Sequence, residues 1–160
     1  MAKTRPRGAE IAKLVAQNRR ARHDYAIEDT FEAGVVLTGS EVKSLRRGQA
    51  SINEAYAHDQ GGELFLINAH IAPYDAAKTF RHEPRRPRKL LLHRREIGKL
   101  IGAVRRDGMT LVPLALYFNP RGRAKLQLAL AKGKRKVDVR AAVKDREWKL
   151  QKSRLLRTRD

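Results

Sequence analysis

The fold is decided by residues 110–131, which read TLVPLALYFNPRGRAKLQLALA. Apolar residues dominate 110–118, and Leu126, Leu128 and Leu130 occupy every second position of 124–131. A period of two is typical of a β-strand that buries one face. The segment 119–122 between the two runs contains Asn, Pro and Gly, which favour turns. We therefore predict two strands, 110–118 and 124–131, joined by a turn.

Further strands are predicted upstream of this pair. Between Asp24 and Leu37, apolar residues fall on one parity while Glu28 and Glu32 fall on the other, which predicts a strand with one solvent-exposed face. Residues 51–58 and 63–71 are rich in strand-forming residues, and Gly61-Gly62 between them indicates a hairpin.

Two helices and one loop complete the pattern. Thr38 to Glu41 fits the start of a short helix that ends at Gly48. Residues 89–104 place apolar side chains three and four positions apart, which predicts an amphipathic helix ended by Asp107-Gly108. Three prolines within 73–89 predict a long loop.

These elements predict a mainly β fold, a small β-barrel similar to the oligonucleotide-binding (OB) fold with two or three helices. After Ala131 the apolar pattern stops, so we predict a basic C-terminal tail that is disordered alone and folds on a partner. The domain assignment is a flexible basic arm over 1–17, the barrel over 18–133 and the tail over 134–160.

The charge of the chain points to a polyanionic partner. Lys and Arg number 36 against 17 Asp and Glu, which gives a formal net charge of +19 at pH 7. Residues 23–77 nevertheless hold nine acidic and three basic residues. This uneven distribution favours a nucleic-acid-binding face, although a uniformly basic, solubilising surface is an alternative.

Several functional classes find no support in the sequence. It contains no phosphate loop, no dinucleotide-binding glycine motif and no H-E-x-x-H metal motif. Glu28, Asp29 and Glu32 have no identifiable convergent carboxylate, so we expect no catalytic residue, metal or cofactor. The sequence lacks the run of roughly 18 apolar residues that a membrane helix needs. The absence of Cys is compatible with the reducing cytoplasm, where we expect the protein to act.

One segment has the composition of an RNA-binding motif. Asn18 to Tyr25 reads NRRARHDY, which places phosphate-binding and base-binding side chains beside an aromatic ring that can stack. The pattern is only moderately specific, because Tyr25 could equally anchor the segment in the core.

With neighbouring motifs, this segment resembles the SsrA-binding protein (SmpB) family in order and spacing over about residues 16–157. The matching motifs are 18–25 (NRRARHDY), 38–46 (TGSEVKSLR), 88–97 (RKLLLHRREI), 114–118 (LALYF), 131–134 (AKGK), 145–148 (DREW) and 152–156 (KSRLL). The resemblance implies an OB-type barrel with extra helices.

The resemblance also implies a function. Proteins of this family bind the tRNA-like part of transfer-messenger RNA and deliver it to stalled ribosomes for trans-translation. Their tail folds as a helix in the empty mRNA channel near the decoding centre. The implied partners are therefore transfer-messenger RNA and the ribosome, with no membrane, and we expect a monomer.

Carried over position by position, the resemblance assigns one RNA-binding set and one tail set. The RNA-binding residues would be Arg19, Arg20, Arg22, His23, Tyr25, Glu32, Lys43, Arg88, Lys89, Leu91 and His93. The ribosome-binding tail would comprise the hinge Gly133 with Lys134, Arg135, Lys136, Asp138, Arg140, Arg146, Trp148, Lys149, Lys152 and Arg154. Val137 and Val139 depart from the family pattern, which usually has an aromatic residue or His followed by Asp-Lys-Arg, so the usual decoding-site contact is in doubt there.

Two other functional classes are alternatives to this interpretation. A basic ribosomal or ribosome-assembly protein would share the charge and the loose ends, and only the motif set separates it from this chain. An RNA-processing enzyme would require convergent acids or a metal site, which the sequence does not reveal.

Overall fold

The computed structural model of the chain describes residues 11–74 and 82–133. Within these ranges it contains nine strands and three helices. In chain order they are β1 (Lys13–Gln17), α1 (Ala21–Asp24), β2 (Ala26–Val35), α2 (Gly39–Arg46), β3 (Ala50–Ser51), β4 (Tyr56–Gln60), β5 (Glu63–Ile67), β6 (His70–Ile71), β7 (Arg88–Leu91), α3 (Arg94–Asp107), β8 (Thr110–Phe118) and β9 (Ala124–Lys132). In the described part of the chain, no helix is long and apolar enough to cross a membrane.

Six of the strands close into a barrel. The order is β8-β4-β5-β7-β2-β9, and β9 pairs again with β8 to complete the ring. β1 lies on the same edge of β8 as β4 but pairs with its C-terminal half, and β3 and β6 form a separate two-stranded sheet. The predicted mainly β barrel is confirmed.

The two predicted strands are β8 and β9. Their ladder and the ladder of β9 with β2 are the longest in the barrel. β8 and β9 pair antiparallel from Thr110↔Ala131 to Phe118↔Ala124, with an irregularity between Pro113 and Ala115. Proline has no N–H to donate to the ladder, so it is tolerated at such an interruption. Both strand predictions, 110–118 and 124–131, are correct at nearly every residue.

Alternation along the strands separates a core from an outer barrel face. Phe31, Leu66, Leu90 and Leu128 point into the core together with other buried aliphatic residues. α3 contributes Leu100 and Ala103 to the same cluster. Residues between these core positions therefore face outward, and their placement decides the candidate site.

The hairpin and the short helix follow their sequence signals. β4 and β5 pair through Gln60↔Glu63, and Gly61 and Gly62 have φ of 62° and 81°. A two-residue turn with two positive φ values matches the twist of a hairpin and strongly favours glycine. At α2, the Thr38 side chain accepts a hydrogen bond from the Glu41 N–H, while Glu41 accepts one from the Thr38 N–H. This reciprocal cap defines the helix start.

The structure corrects the predicted helix over 89–104. Residues 88–91 form strand β7, and α3 begins only at Arg94 and ends at Asp107. Leu90 is buried opposite Leu64 and Val35, whereas Leu91 is exposed. The apolar residues therefore have the spacing of a strand in β7 and the spacing of a helix in α3. The local pattern did not show where the strand ends and the helix begins.

Other parts of the chain also differ from the predictions. The assigned basic arm, 1–17, overlaps strand β1, which pairs with β8 at Lys13↔Phe118 and Gln17↔Ala115. The predicted strands 51–58 and 63–71 are each broken in two, and helix α1 was not predicted. The predicted loop 73–89 ends in β7, with 75–81 outside the described residues, as are residues 1–10 and the tail 134–160.

Candidate nucleic-acid interface

The outer barrel face brings Glu32 and Leu91 close together although they are far apart in the sequence. In the sheet, Gly34 of β2 lies opposite Leu91 of β7 and also opposite Lys125 of β9. Glu32, two residues before Gly34, lies opposite Gln127. Because opposite residues share a face and the parity alternates, Glu32, Leu91, Lys125 and Gln127 all project outward. We call this surface the outer-face cluster and include Tyr117 in it.

Tyr117 belongs to the cluster because it lies opposite Lys125 in the β8–β9 ladder. Its phenol Oη donates a hydrogen bond to Glu32 Oε2 at 2.6 Å. The Tyr117 side chain is only 1% exposed, whereas Glu32 is half-buried. Burial, this hydrogen bond and the negative charge of Glu32 raise the pKa of Tyr117. The phenol therefore stays protonated and acts as a donor at neutral pH.

Leu91 is unusual among the leucines of the barrel because it is 52% exposed. Its neighbour Leu90 is 1% exposed and belongs to the core. An exposed apolar side chain gains free energy when a ligand covers it, so Leu91 is available for such a contact.

The basic segment 18–25 forms a corner beside this cluster. Asn18 is 5% exposed, its N–H donates to the Leu114 carbonyl at 2.8 Å and its Nδ2 donates to the Pro113 carbonyl at 3.2 Å. Ala21, at the start of α1, packs in a small cluster with Val112, Leu114 and Ala129 on β8 and β9. The corner is therefore fixed to the barrel by its small and amide side chains.

The longer side chains of this corner point to solvent. Arg19, Arg20 and Arg22 are exposed, and none of them forms an ion pair with another described residue. His23 is exposed and its Nδ1 lies 3.2 Å from Asp24 Oδ1. Three exposed cations on one short segment provide the charge that phosphate binding requires.

Tyr25 both packs against the barrel and lines a pocket at the surface. It packs against the Ala21 cluster and is half-buried. It also lines a pocket of about 640 Å³ together with Arg19, Arg20, Asn53 and Tyr56. The ring therefore anchors the corner in the barrel and presents part of its surface to a cavity.

A second, smaller pocket of about 270 Å³ connects the corner to the outer-face cluster. Its lining includes Arg19 and Arg22 from the corner and Ala115 and Gln127 from β8 and β9. Gln127 lies opposite Glu32. The corner and the cluster thus form one continuous surface, with cations at one side and Glu32 and Leu91 at the other.

Arg88 requires a correction, because the sequence assigned it to RNA contact and the structure buries it completely. Its side chain is 0% exposed, and its Nε donates to Glu41 Oε2. It also donates to the carbonyls of Ala69 and Pro84. A guanidinium enclosed by these acceptors cannot reach a phosphate, so Arg88 is a structural residue.

The ion pair of Arg88 shifts the titration of both partners. Burial would raise the pKa of Glu41, but hydrogen bonds from Arg86 and the Thr38 N–H and the charge of Arg88 outweigh burial and lower it. The pKa of Arg88 is lowered, chiefly by burial, and Glu41 opposes that change. Arg86 completes the cluster with a 2.6 Å bond from its guanidinium to Glu41 Oε1. The pair joins α2 to β7 below the surface.

The remaining assigned residues lie at the surface with other partners. Lys89 Nζ donates to Glu63 Oε1 at 3.0 Å, and Lys43 Nζ lies 5.5 Å from the centre of the Tyr74 ring. His93 is exposed and caps α3, its N–H donating to Glu96 Oε1. His93 lies between β7 and α3, whereas Lys43 lies on α2.

Gly133 is the last described residue before the tail and directly follows β9. The other tail assignments fall outside the described residues. They are Lys134, Arg135, Lys136, Asp138, Arg140, Arg146, Trp148, Lys149, Lys152 and Arg154.

Sequence reasoning missed Tyr117, Gln127 and Tyr56 as members of this surface. Tyr117 and Gln127 could have been found from parity alone, since they alternate with the core residues Leu116, Phe118, Leu126 and Leu128. Tyr56 carried no such signal, because its position beside Arg19 and Arg20 depends on a contact between distant parts of the chain.

The chain is similar to known proteins over nearly its whole length. The SmpB protein family model matches residues 15–158. The chain is 62% identical over 151 residues to the SsrA-binding protein of Afipia carboxidovorans, which covers 94% of this chain and 96% of that protein. It is 63% identical over 147 residues to the SsrA-binding proteins of Rhodopseudomonas palustris (strain TIE-1) and Bradyrhizobium diazoefficiens, with 92% of this chain and 94% of each relative covered.

A solved structure has the same fold. It is described as "tmRNA-SmpB: a journey to the center of the bacterial ribosome", and one of its chains matches with a TM-score of 0.62 and 51% sequence identity. The match covers 79% of this chain and 85% of that chain.

Proposed function

Since this chain belongs to the SmpB protein family, we propose that it binds transfer-messenger RNA, the SsrA RNA, and acts with it in trans-translation on the ribosome. It does so as an RNA-binding factor. Relatives that match nearly the whole chain are SsrA-binding proteins, and the description of the similar solved structure names tmRNA, SmpB and the bacterial ribosome. Stalled ribosomes are rescued in the cytoplasm, which is the compartment this function requires.

The observation that best supports the proposal is that one surface presents exposed cations, a carboxylate and an exposed apolar side chain. The exposed cations Arg19, Arg20 and Arg22 lie beside the outer-face cluster, which presents the Glu32 carboxylate and the exposed Leu91 side chain. A uniformly basic solubilising surface would not need an exposed leucine or an acid held in place by a buried tyrosine.

Each chemistry has a different task in RNA binding. The arginines neutralise phosphates, which contributes affinity without reading the sequence. Leu91 offers apolar surface to an unstacked base or to a ribose. Glu32 accepts hydrogen bonds from amino or hydroxyl groups, so it rejects RNA surfaces that present only phosphates or other acceptors. Together these groups favour one folded RNA over others of equal charge.

The tail assignment is the second half of the proposal. Residues 134–160 are basic and contain few apolar residues, which supports folding only on a polyanionic partner. A helix in the empty mRNA channel would compete with message for the same anionic groove, and this competition would report that no message occupies the channel. Gly133, at the end of β9, is the proposed hinge between barrel and tail.

A binding experiment tests the barrel half of this proposal. Affinity for the tRNA-like domain of transfer-messenger RNA is measured against an ordinary tRNA and a ribosomal RNA fragment at one salt concentration. The wild-type protein should prefer the tRNA-like domain, whereas a ribosomal or assembly protein would prefer the ribosomal fragment.

Two substitutions and two matched controls locate the surface. Glu32→Ala and Leu91→Ala should each weaken binding to the tRNA-like domain by about tenfold or more, because each removes a contact beyond phosphate binding. Glu28→Ala removes an exposed acid from the same strand, and Ile11→Ala truncates another exposed apolar residue. Both controls should bind like the wild type. Wild-type affinity in both Glu32→Ala and Leu91→Ala would show that the assigned face is wrong.

A further inference from the structure

The hydrogen bond between Tyr117 and Glu32 is unusual in where it lies. The two residues come from β8 and β2, which are not neighbours, and the bond passes over the outer side of β9. Its 2.6 Å length is typical of a hydroxyl bound to a charged carboxylate. The donor is buried while the acceptor reaches the surface, so the bond leads from a covered part of the outer face toward the proposed RNA.

The bond occupies only one of the two carboxylate oxygens. Tyr117 donates to Oε2, and Oε1 has no hydrogen-bond partner among residues 11–74 and 82–133. A glutamate side chain has three rotatable bonds and samples many orientations when it is unrestrained. A buried phenol fixed in the barrel wall removes most of that freedom before any ligand arrives, which lowers the entropic cost of binding.

Resting on the function proposed above, we propose that Tyr117 is a positioning residue for RNA recognition. Its hydroxyl holds the Glu32 carboxylate so that Oε1 accepts a hydrogen bond from the RNA. The ligand group is a donor, either the exocyclic amino group of an unpaired base or a ribose 2′-hydroxyl. Tyr117 is buried and acts on the RNA only through Glu32.

Tyr117→Phe is the direct test, because it removes the hydroxyl and keeps the ring that fills the site. Affinity for the tRNA-like domain should fall about tenfold at fixed salt. Affinity for a generic RNA should not change, and neither should the slope of log affinity against log salt, because no phosphate contact is lost. If Tyr117 had a purely structural role, Tyr117→Phe would lower the affinity for both RNAs alike.

A double-mutant cycle shows whether Tyr117 acts through Glu32. At low salt, where Glu32→Ala still binds measurably, adding Tyr117→Phe should cause no further loss. Glu32→Asp provides a route that does not depend on the folding of Tyr117→Phe. It keeps the carboxylate but withdraws it from the phenol by one methylene, and it should lose about as much affinity as Tyr117→Phe.

The outcomes separate the inference from the proposed function. If both Tyr117→Phe and Glu32→Asp bind the tRNA-like domain like the wild type, the positioning role is overturned and the proposed function stays intact. The same holds if Tyr117→Phe lowers the affinity of the Glu32→Ala protein as much as it lowers that of the wild type. A wild-type protein without preference for the tRNA-like domain would instead overturn the proposed function itself.

Discussion

Gly34 and Leu91 face each other across the β2–β7 ladder so closely that a Cβ added at Gly34 would lie 3.3 Å from the Leu91 Cβ. The contact is tighter than ordinary van der Waals contact between carbon atoms. The missing side chain of Gly34 therefore leaves the space in which the exposed Leu91 side chain stands.

Gly34→Ala should weaken RNA binding by displacing Leu91. Gly34 has no positive φ, so alanine can adopt its backbone and should reduce the entropy of the unfolded chain. We expect a several-fold loss of affinity for the tRNA-like domain and a change of less than about 1 kcal/mol in the free energy of unfolding. Binding titrations and urea unfolding measure the two quantities, and unchanged affinity would show that Leu91 does not need this space.

Arg88→Met should destabilise the fold strongly, because it removes the buried partner of the Glu41 carboxylate and leaves only the partly exposed Arg86 as its cation. Removing one partner of a buried ion pair costs about 3–5 kcal/mol. The neighbouring Lys89→Met is the matched control, since it breaks only the surface pair with Glu63 and should cost less than about 1 kcal/mol. Equal losses in urea unfolding would contradict the structural role of Arg88.

The stability of the wild-type protein should fall at acidic pH because of Glu41. The pKa of this group is lowered in the folded state from an ordinary value of 4.5. A lowered pKa stabilises the fold above the ordinary value, and this stabilisation is lost as the pH falls below 4.5 and through the folded-state pKa. Thermal unfolding of Glu41→Gln, followed from neutral to acidic pH, should show a shallower decline than the wild type. Parallel curves would mean that other carboxylates cause the acid sensitivity.

Replacing Arg19, Arg20 and Arg22 by Ala should reduce the salt dependence of RNA binding. Each phosphate contact contributes roughly 0.7–0.9 to the slope of log affinity against log salt. The triple variant should therefore lower the magnitude of the slope by about two to three. Because these cations do not read bases, the preference for the tRNA-like domain over an ordinary tRNA should change much less. An unchanged slope would show that these arginines do not contact phosphates.

Deleting residues 138–160 should separate RNA binding from rescue. The barrel and the arginine corner remain, so affinity for the tRNA-like domain should stay near the wild-type value. Tagging of stalled peptides in a reconstituted system should be lost, because the segment proposed to test the mRNA channel is gone. A deletion variant that still supports tagging would exclude the tail mechanism.

Local sequence determined much of the architecture. The period-two leucines of β9, the Gly61-Gly62 turn and the Thr38 and Glu41 cap each depend on residues within a few positions of one another. Their geometry is set by backbone sterics and nearby hydrogen bonds, so the sequence predicts them without knowledge of the rest of the fold. The net charge and the family motifs likewise indicated RNA as the partner.

The tertiary structure decided which of these residues lie together and which are buried. Arg88 looks in the sequence like any basic residue of a charged segment, and only its contact with Glu41, 47 positions away, makes it a structural residue. Glu32, Leu91 and Tyr117 share one face because strands β2, β7, β8 and β9 pair in a particular register. A shift of one residue in that register would turn each of these side chains to the opposite face. Register between distant strands depends on the packing of the whole core, so parity can place each side chain on the outer side of its own strand but cannot show which of these residues lie together.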